Sequence, residues 1–157
     1  LSLVDEKSSP QELASKLQNH RETSAFFHND MVIKIATNNR GEQVAFITDV
    51  ENNANFSDED AQYLARVKRQ FEELGYRVVS LPCGDTAVRN YTNSLIFSRG
   101  HGRKVAYVPQ YGTAQDWIAN LKYRANGFEV KRVDVSEIAN SAPEKGGSLH
   151  CSVSVLD

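Results

Sequence analysis

Only two cysteines, Cys83 and Cys151, occur in 157 residues. That is too few for a disulfide framework, and they lack the paired spacing of a zinc site. No apolar run comes near the roughly 18 residues that a membrane span requires. The polar N-terminal stretch also lacks the hydrophobic segment of a secretory signal. Nor is there an excess of positive charge: 18 Lys and Arg stand against 20 Asp and Glu, for a net charge of −2. "RVKRQ" and "YRANGFEVKR" are locally basic, but the first lies on a helix rich in Glu. A nucleic-acid partner therefore has no electrostatic footprint here. "NANFSDEDAQ" is acidic without the ligand spacing and central Gly of a calcium loop. No metal, cofactor, nucleic acid or membrane partner is expected. The chain begins at Leu1 rather than Met, and a portion of something longer is the expectation.

What is present is a globular composition, 40% hydrophobic and 24% charged, long enough for one domain spanning residues 1–157. Ser9-Pro10-Gln11-Glu12 predicts a helix start, with a cap, a Pro in the first turn and a Glu three residues after the cap. One pattern then occurs twice. "MVIKIA" and "QVAFITD" read as strands joined by an "NNRG" turn. Ser57 and Asp60 have capping-box spacing, and Leu64, Val67, Phe71 and Leu74 form an apolar stripe at helical period. Gly75 stops that helix and "YRVVSL" follows as a strand.

The second copy runs "TNSLIF", "RGHGR", "KVAYVP", then a helix capped at Thr113 and Asp116, a stop at Gly127 and the strand "FEVKRVD". In that helix Trp117, Ile118, Leu121 and Ala125 are the expected core face. The two caps lie 56 positions apart and the two glycines 52, which predicts an internal β-β-α-β repeat. Each unit covers a small sheet with one helix, so neighbouring units must pack together to complete a core. "SLHCSVSVL" reads as one more strand, for about two and a half units.

Polar residues interrupt the strand pattern in three places: His28-Asn29-Asp30, Asn93 within "YTNSLIF", and His150-Cys151. Each falls at the start of, or inside, the first strand of a unit. Strand alternation places His28 and Asp30 on one side, and turns His150 away from Cys151 into a structural role. A thiol, an imidazole and a carboxylate together suggest nucleophilic catalysis. A free thiol ionises near pH 8.5, so Cys151 needs a cationic neighbour, either a histidine or a cationic substrate. Cys83, in "LPCGD", reads as a bystander, and His20 and His101 as surface residues.

"HND", "YTNSLI" followed by "VAYVPQYG", and "GGSLHCSV" resemble, in order and spacing, the guanidino-group modifying enzymes of the pentein fold. The likeness is greatest to agmatine deiminases and bacterial peptidylarginine deiminases, and covers roughly residues 26–155. It implies a pentein-type α/β propeller of β-β-α-β repeats, of which this chain is the C-terminal portion. It also implies a metal-free deiminase that acts on an arginine residue in a peptide or on agmatine. By the same resemblance Cys151 matches the nucleophile, His28 the general acid and base, Asp30 a carboxylate gripping the guanidinium, and Asn93 a residue orienting the reacting groups. Phe27 stands where the family has Gly, and Asn29 where it has a hydrophobic residue. The family domain has about twice as many units, so an N-terminal segment or companion chain is expected to complete the site. An amidinotransferase on the same fold and a non-catalytic pentein-like binding module are the alternative readings.

Overall fold

Asn38 shapes the first hairpin. Its side-chain Oδ1 accepts the N–H groups of Arg40 and Glu42, both at 2.9 Å, and Gly41 supplies the positive φ of +80° that closes the turn. In the computed structural model, which describes residues 29–51, 53–141 and 149–150, this turn joins strands β1 (Ile33–Thr37) and β2 (Gln43–Asp49) as an antiparallel pair. Helix α2 (Asp58–Glu73) follows, and β3 (Arg77–Pro82) returns parallel to β2. One helical turn, α1 (Asn29–Val32), precedes β1. β2 is buried on both faces, which its unbroken run of Val, Ala, Phe and Ile requires.

The second unit repeats this order. β4 (Leu95–Ser98) and β5 (Lys104–Gln110) are antiparallel, α3 (Ala114–Ala125) crosses over, and β6 (Glu129–Asp134) runs parallel to β5. A short helix, α4 (Ser136–Ser141), comes after it. The registers correspond as well: Ala45 faces Ile35 and Val78, while Ala106 faces Ile96 and Val130. The predicted internal repeat is therefore present as two three-stranded sheets of the same topology, and neither sheet closes on itself. The helix expected from Ser9 lies outside the described residues.

Both long helices start and stop as their sequences dictate. Ser57 Oγ accepts the Asp60 N–H at 3.1 Å while the Asp60 carboxylate accepts the Ser57 N–H at 3.2 Å, closing the capping box. Asp116 gathers the N–H groups of Tyr111, Gly112 and Thr113 at 2.9, 2.9 and 3.2 Å. At the other end, Gly75 and Gly127 have φ values of +83° and +88°. The N–H of Tyr76 reaches the carbonyl of Phe71 at 3.0 Å, and that of Phe128 reaches Tyr123 at 3.2 Å, so both helices end in the same Schellman arrangement.

Helix α3 corrects the expected core face. Trp117, Ile118, Leu121 and Ala125 are exposed, Trp117 at 67%, whereas Ala119, Asn120 and Tyr123 are buried. The cause is tertiary. α3 is wedged between its own sheet and β3 of the first unit, so its inner faces need small or hydrogen-bonded side chains. Asn120 pairs with Gln110 at 2.8 Å, and the Tyr123 hydroxyl donates to the Tyr91 carbonyl at 2.9 Å. The Tyr123 ring stacks on Phe46 of β2 at 4.2 Å, and Phe128 meets Phe46 edge-on at 5.6 Å. Such pairs add about 1 kcal/mol each to the area they bury. A second cluster under α2 joins Leu64 with Met31, Val32, Val50 and Cys83.

Candidate functional site

The first strands of both units begin at the junction between them. Asp30 lies in the turn α1, and Asn93 lies just before β4. This corrects the expected strand from Met31: residues 29–32 are helical, and strand alternation does not govern Asp30. The carbonyls freed there are satisfied by side chains instead. Thr48 Oγ1 donates to the Met31 carbonyl at 2.7 Å, and Thr92 Oγ1 lies 2.9 Å from the Asp30 carbonyl. Thr92 Oγ1 is also 2.8 Å from Asn90 Oδ1, and its single proton serves one acceptor at a time.

Asn93 is fully buried and both ends of its amide are engaged. Nδ2 donates to Asp30 Oδ2 at 3.0 Å, and Oδ1 accepts the backbone N–H of His150 at 2.6 Å. Its own N–H donates to Asn90 Oδ1 at 3.0 Å, which fixes the backbone beneath it. A buried amide is costly unless it is paired in this way. His150 Nδ1 lies 3.0 Å from the same Asp30 Oδ2. Three segments, 63 and 120 residues from Asp30 along the chain, thus converge on one carboxylate.

His150 is a second correction. Leu149 and His150 form a turn rather than part of a strand, so the imidazole is not turned away by alternation; it faces Asp30. The ring is 45% exposed and the carboxylate 18%, leaving the pair half-buried and reachable. Of the four residues singled out from sequence, Asp30 and Asn93 are in direct contact, while His28 and Cys151 lie outside the described residues. Thr48, Asn90 and Thr92 were missed. The signal available for two of them was the polar run "NYTNS", at a place where a buried strand start would be apolar.

Chemically, a half-buried carboxylate held by an amide N–H and an imidazole suits a planar cation that offers parallel N–H donors. Among the described residues no three His, Cys, Asp or Glu side chains are grouped to hold a metal ion. No described helix is long and apolar enough to cross a membrane.

The other thiol has a different setting. Cys83 lines a cavity of about 550 Å³ together with Asp49, Glu51, Asn53 and Lys122. Burial pushes its thiol up to about 12, and its S–H points at the Thr86 carbonyl at 3.6 Å. It stays protonated at neutral pH and is a poor nucleophile.

No protein-family profile matches the chain, and neither does any curated protein sequence. Solved structures do match. A Porphyromonas gingivalis protein provisionally assigned as an arginine deiminase has a TM-score of 0.57 at 19% identity, covering 94% of this chain and 47% of its own. Agmatine deiminase from C. jejuni has a TM-score of 0.55 at 17% identity, with coverages of 94% and 47%. A cysteine-to-serine form of the latter, with substrate bound, has a TM-score of 0.54 at 16% identity, with coverages of 94% and 46%. These neighbours agree with the resemblance carried by the motifs. The chain spans about half the length of the solved deiminases it matches, and over that half it has their fold.

Proposed function

We propose that this chain is the C-terminal portion of a pentein-type catalytic domain, an α/β propeller, that hydrolyses a guanidino group to a ureido group and ammonia. One observation carries the reading: Asp30, Asn93 and His150, the residue before Cys151 in the sequence, meet on a fold shared with deiminases. The substrate is an arginine residue in a peptide, or agmatine. An N-terminal segment or companion chain supplies the remaining wall of the site, since the neighbours are about twice as long.

In this mechanism Asp30 accepts two N–H groups of the guanidinium and holds its plane. Asn93 fixes Asp30 and, through the His150 N–H, the backbone leading to Cys151. The bound cation favours the thiolate of Cys151. That thiolate attacks the central carbon and a C–S bond forms. His28 gives a proton to the departing nitrogen, the C–N bond breaks, and ammonia leaves an S-alkylthiouronium on Cys151. His28 then takes a proton from water as the water oxygen attacks the same carbon. The C–S bond breaks, the thiolate returns, and the ureido product departs. A deiminase caught with substrate after its cysteine was replaced by serine fits a cysteine in the attacking role.

Ammonia release from agmatine or an arginine peptide tests the reaction, and full activity in Cys151→Ala would end the proposal. A haloacetamidine tests the site in the 157-residue chain itself. It should label Cys151, read by peptide mass, and Asp30→Asn should slow labelling about tenfold or more. Equal labelling of Asp30→Asn and the parent would remove Asp30 from the cation site.

A further inference from the structure

An ionised carboxylate has two lone-pair sites on each oxygen and no hydrogen to give. Both sites on Asp30 Oδ2 are already matched by donors. Asn93 Nδ2 donates to this oxygen at 3.0 Å, and His150 Nδ1 lies 3.0 Å from it as well. Because the carboxylate only accepts, the Nδ1 that faces it carries a hydrogen, whatever the charge on the ring. A guanidinium held by Asp30 through two parallel N–H groups needs one acceptor site on each oxygen. The site on Oδ2 is therefore taken before the cation arrives, and one of its two donors must leave.

The remaining bonds of each donor decide which one goes. Asn93 is fully buried, and its amide also accepts the His150 N–H through Oδ1 at 2.6 Å. Its own N–H is held by Asn90 Oδ1 at 3.0 Å. Turning that amide away from Asp30 would break the bond to the His150 N–H in the same motion, at a place where polar groups are costly to separate. The His150 ring is hinged differently. Its backbone is pinned apart from the ring, by the N–H contacts with Asn93 Oδ1 at 2.6 Å and the Asn93 carbonyl at 3.3 Å. Rotation about the side-chain bonds frees Oδ2 and leaves both of those contacts in place.

We infer that His150 is an internal competitor for the substrate's place: its imidazole occupies the acceptor site on Asp30 Oδ2, swings aside when the guanidinium binds and returns when the product leaves. This rests on the deiminase reading, because it takes a guanidinium as the ligand of Asp30.

A group of the protein that must be displaced weakens every occupant of the site by the same factor. The charged substrate withstands this, since hydrogen bonds between ionised partners are about twice as strong as neutral ones. The ureido product is uncharged and has the weaker hold, so the returning imidazole shortens its stay. His150 thereby sets how tightly the site is occupied and takes no part in bond making at the central carbon.

Alkylation of Cys151 in the 157-residue chain reads this competition without turnover. The haloacetamidine concentration that gives half the maximal labelling rate should fall about fivefold in His150→Ala and in His150→Phe, the equivalent of one neutral hydrogen bond. These variants remove the N–H with a small and a ring-sized side chain, and circular dichroism checks that each is folded. The maximal rate should not change, and neither should labelling by uncharged iodoacetamide, which has no need of Asp30. His150→Asn sets an amide N–H where Nδ1 stands and should restore the parent's value. Agmatine and its ureido counterpart should each protect the thiol at about fivefold lower concentration in His150→Ala, with the ratio between them unaltered. An unchanged half-maximal concentration in both removal variants would overturn the inference, because the cation would then use acceptors that His150 leaves open. A raised one would overturn it too, since His150 would then help to hold the cation. Equal changes with both reagents would reduce His150 to a structural part and refute the competition. A distinct result, no preference for the amidine over iodoacetamide in the parent or in any variant, would remove the guanidinium site itself and this inference with it.

Discussion

Asn93 is the residue whose replacement asks most of this site. Asn93→Ala removes two hydrogen bonds at once: Asp30 Oδ2 loses an amide donor at 3.0 Å, and the His150 N–H loses its acceptor at 2.6 Å, keeping the Asn93 carbonyl at 3.3 Å. A hydrogen bond to a charged group contributes about 1.5–3 kcal/mol and a neutral one about 1 kcal/mol. Asn93 is fully buried, so water does not readily replace the bond to Asp30. The cost to folding should be about 3 kcal/mol, read as a lower urea midpoint at an unchanged slope. Asn93→Asp supplies the sharper comparison. It keeps the size and the acceptor for His150 but sets a second carboxyl about 3.0 Å from Asp30 Oδ2. Two carboxylates at that distance cannot both ionise, so one keeps a proton above its unfolded value. A group with a raised folded value contributes stability that is full at low pH and is lost as pH rises through that value. The deficit of Asn93→Asp relative to the parent should therefore shrink as pH falls from 7 towards about 4. A loss below about 1 kcal/mol for Asn93→Ala, or a deficit of Asn93→Asp that is flat with pH, would refute the contact between Asn93 and Asp30 as the organising one.

Four further outcomes follow from the packing and electrostatics. Gly75→Ala should cost roughly 1–2 kcal/mol for its left-handed backbone alone, since nothing lies within 4 Å of the added methyl. Gly127→Ala should cost more in the same urea titration, because its methyl would sit 3.1 Å from the Asn38 amide that caps α3. Burial pushes the Asp49 carboxyl up, but its contacts with Lys68, the Glu51 N–H and Ser80 outweigh this and leave it below the usual aspartate range. Its stabilising contribution is present above about pH 4 and lost as pH falls through the lowered value, so Asp49→Asn should narrow the stability gap to the parent in acid. Cys83 should resist iodoacetamide at neutral pH in the folded chain and react once urea unfolds it, which peptide mass spectrometry reads directly.

Much of this architecture is written in local signals. The capping boxes, the stopping glycines and the hairpin turn involve residues within about five positions of one another, so their sequences declare them. The inverted face of α3 was hidden because its environment is supplied from far along the chain, by Phe46 and β3. Apolar period alone cannot tell a helix lying on one sheet from a helix wedged between two. Asp30 and Asn93 were legible as polar intrusions into strand starts, and their contact is made. The place of His150 was not, because strand alternation was extended through Leu149 and His150, where the backbone turns instead. Thr48 gave no signal at all: a Thr in a buried strand reads as β-branched filler until its hydroxyl is seen donating to the Met31 carbonyl.

The buried polar contacts around Thr48, Asn90, Thr92 and Asn93 stand at the one junction where apolar packing would have been simpler. Their geometry explains why they are tolerated. Thr48 belongs to the first unit and Thr92 to the second, and their hydroxyls meet at 3.2 Å. The Asp30 carbonyl and Asn90 Oδ1 are alternative acceptors for the one Thr92 proton, at 2.9 and 2.8 Å. Hydrophobic contact between two sheets permits sliding by a fraction of a residue, whereas a hydrogen-bonded chain of this kind permits one alignment, because any shift leaves buried donors unpaired. The same alignment brings Asp30 of one unit within 3.0 Å of Asn93 of the other. Neither unit contains the site by itself. Docking of the units and assembly of the carboxylate, amide and imidazole are consequently one event, so a substitution such as Thr92→Val should disturb Asp30 before it disturbs either sheet.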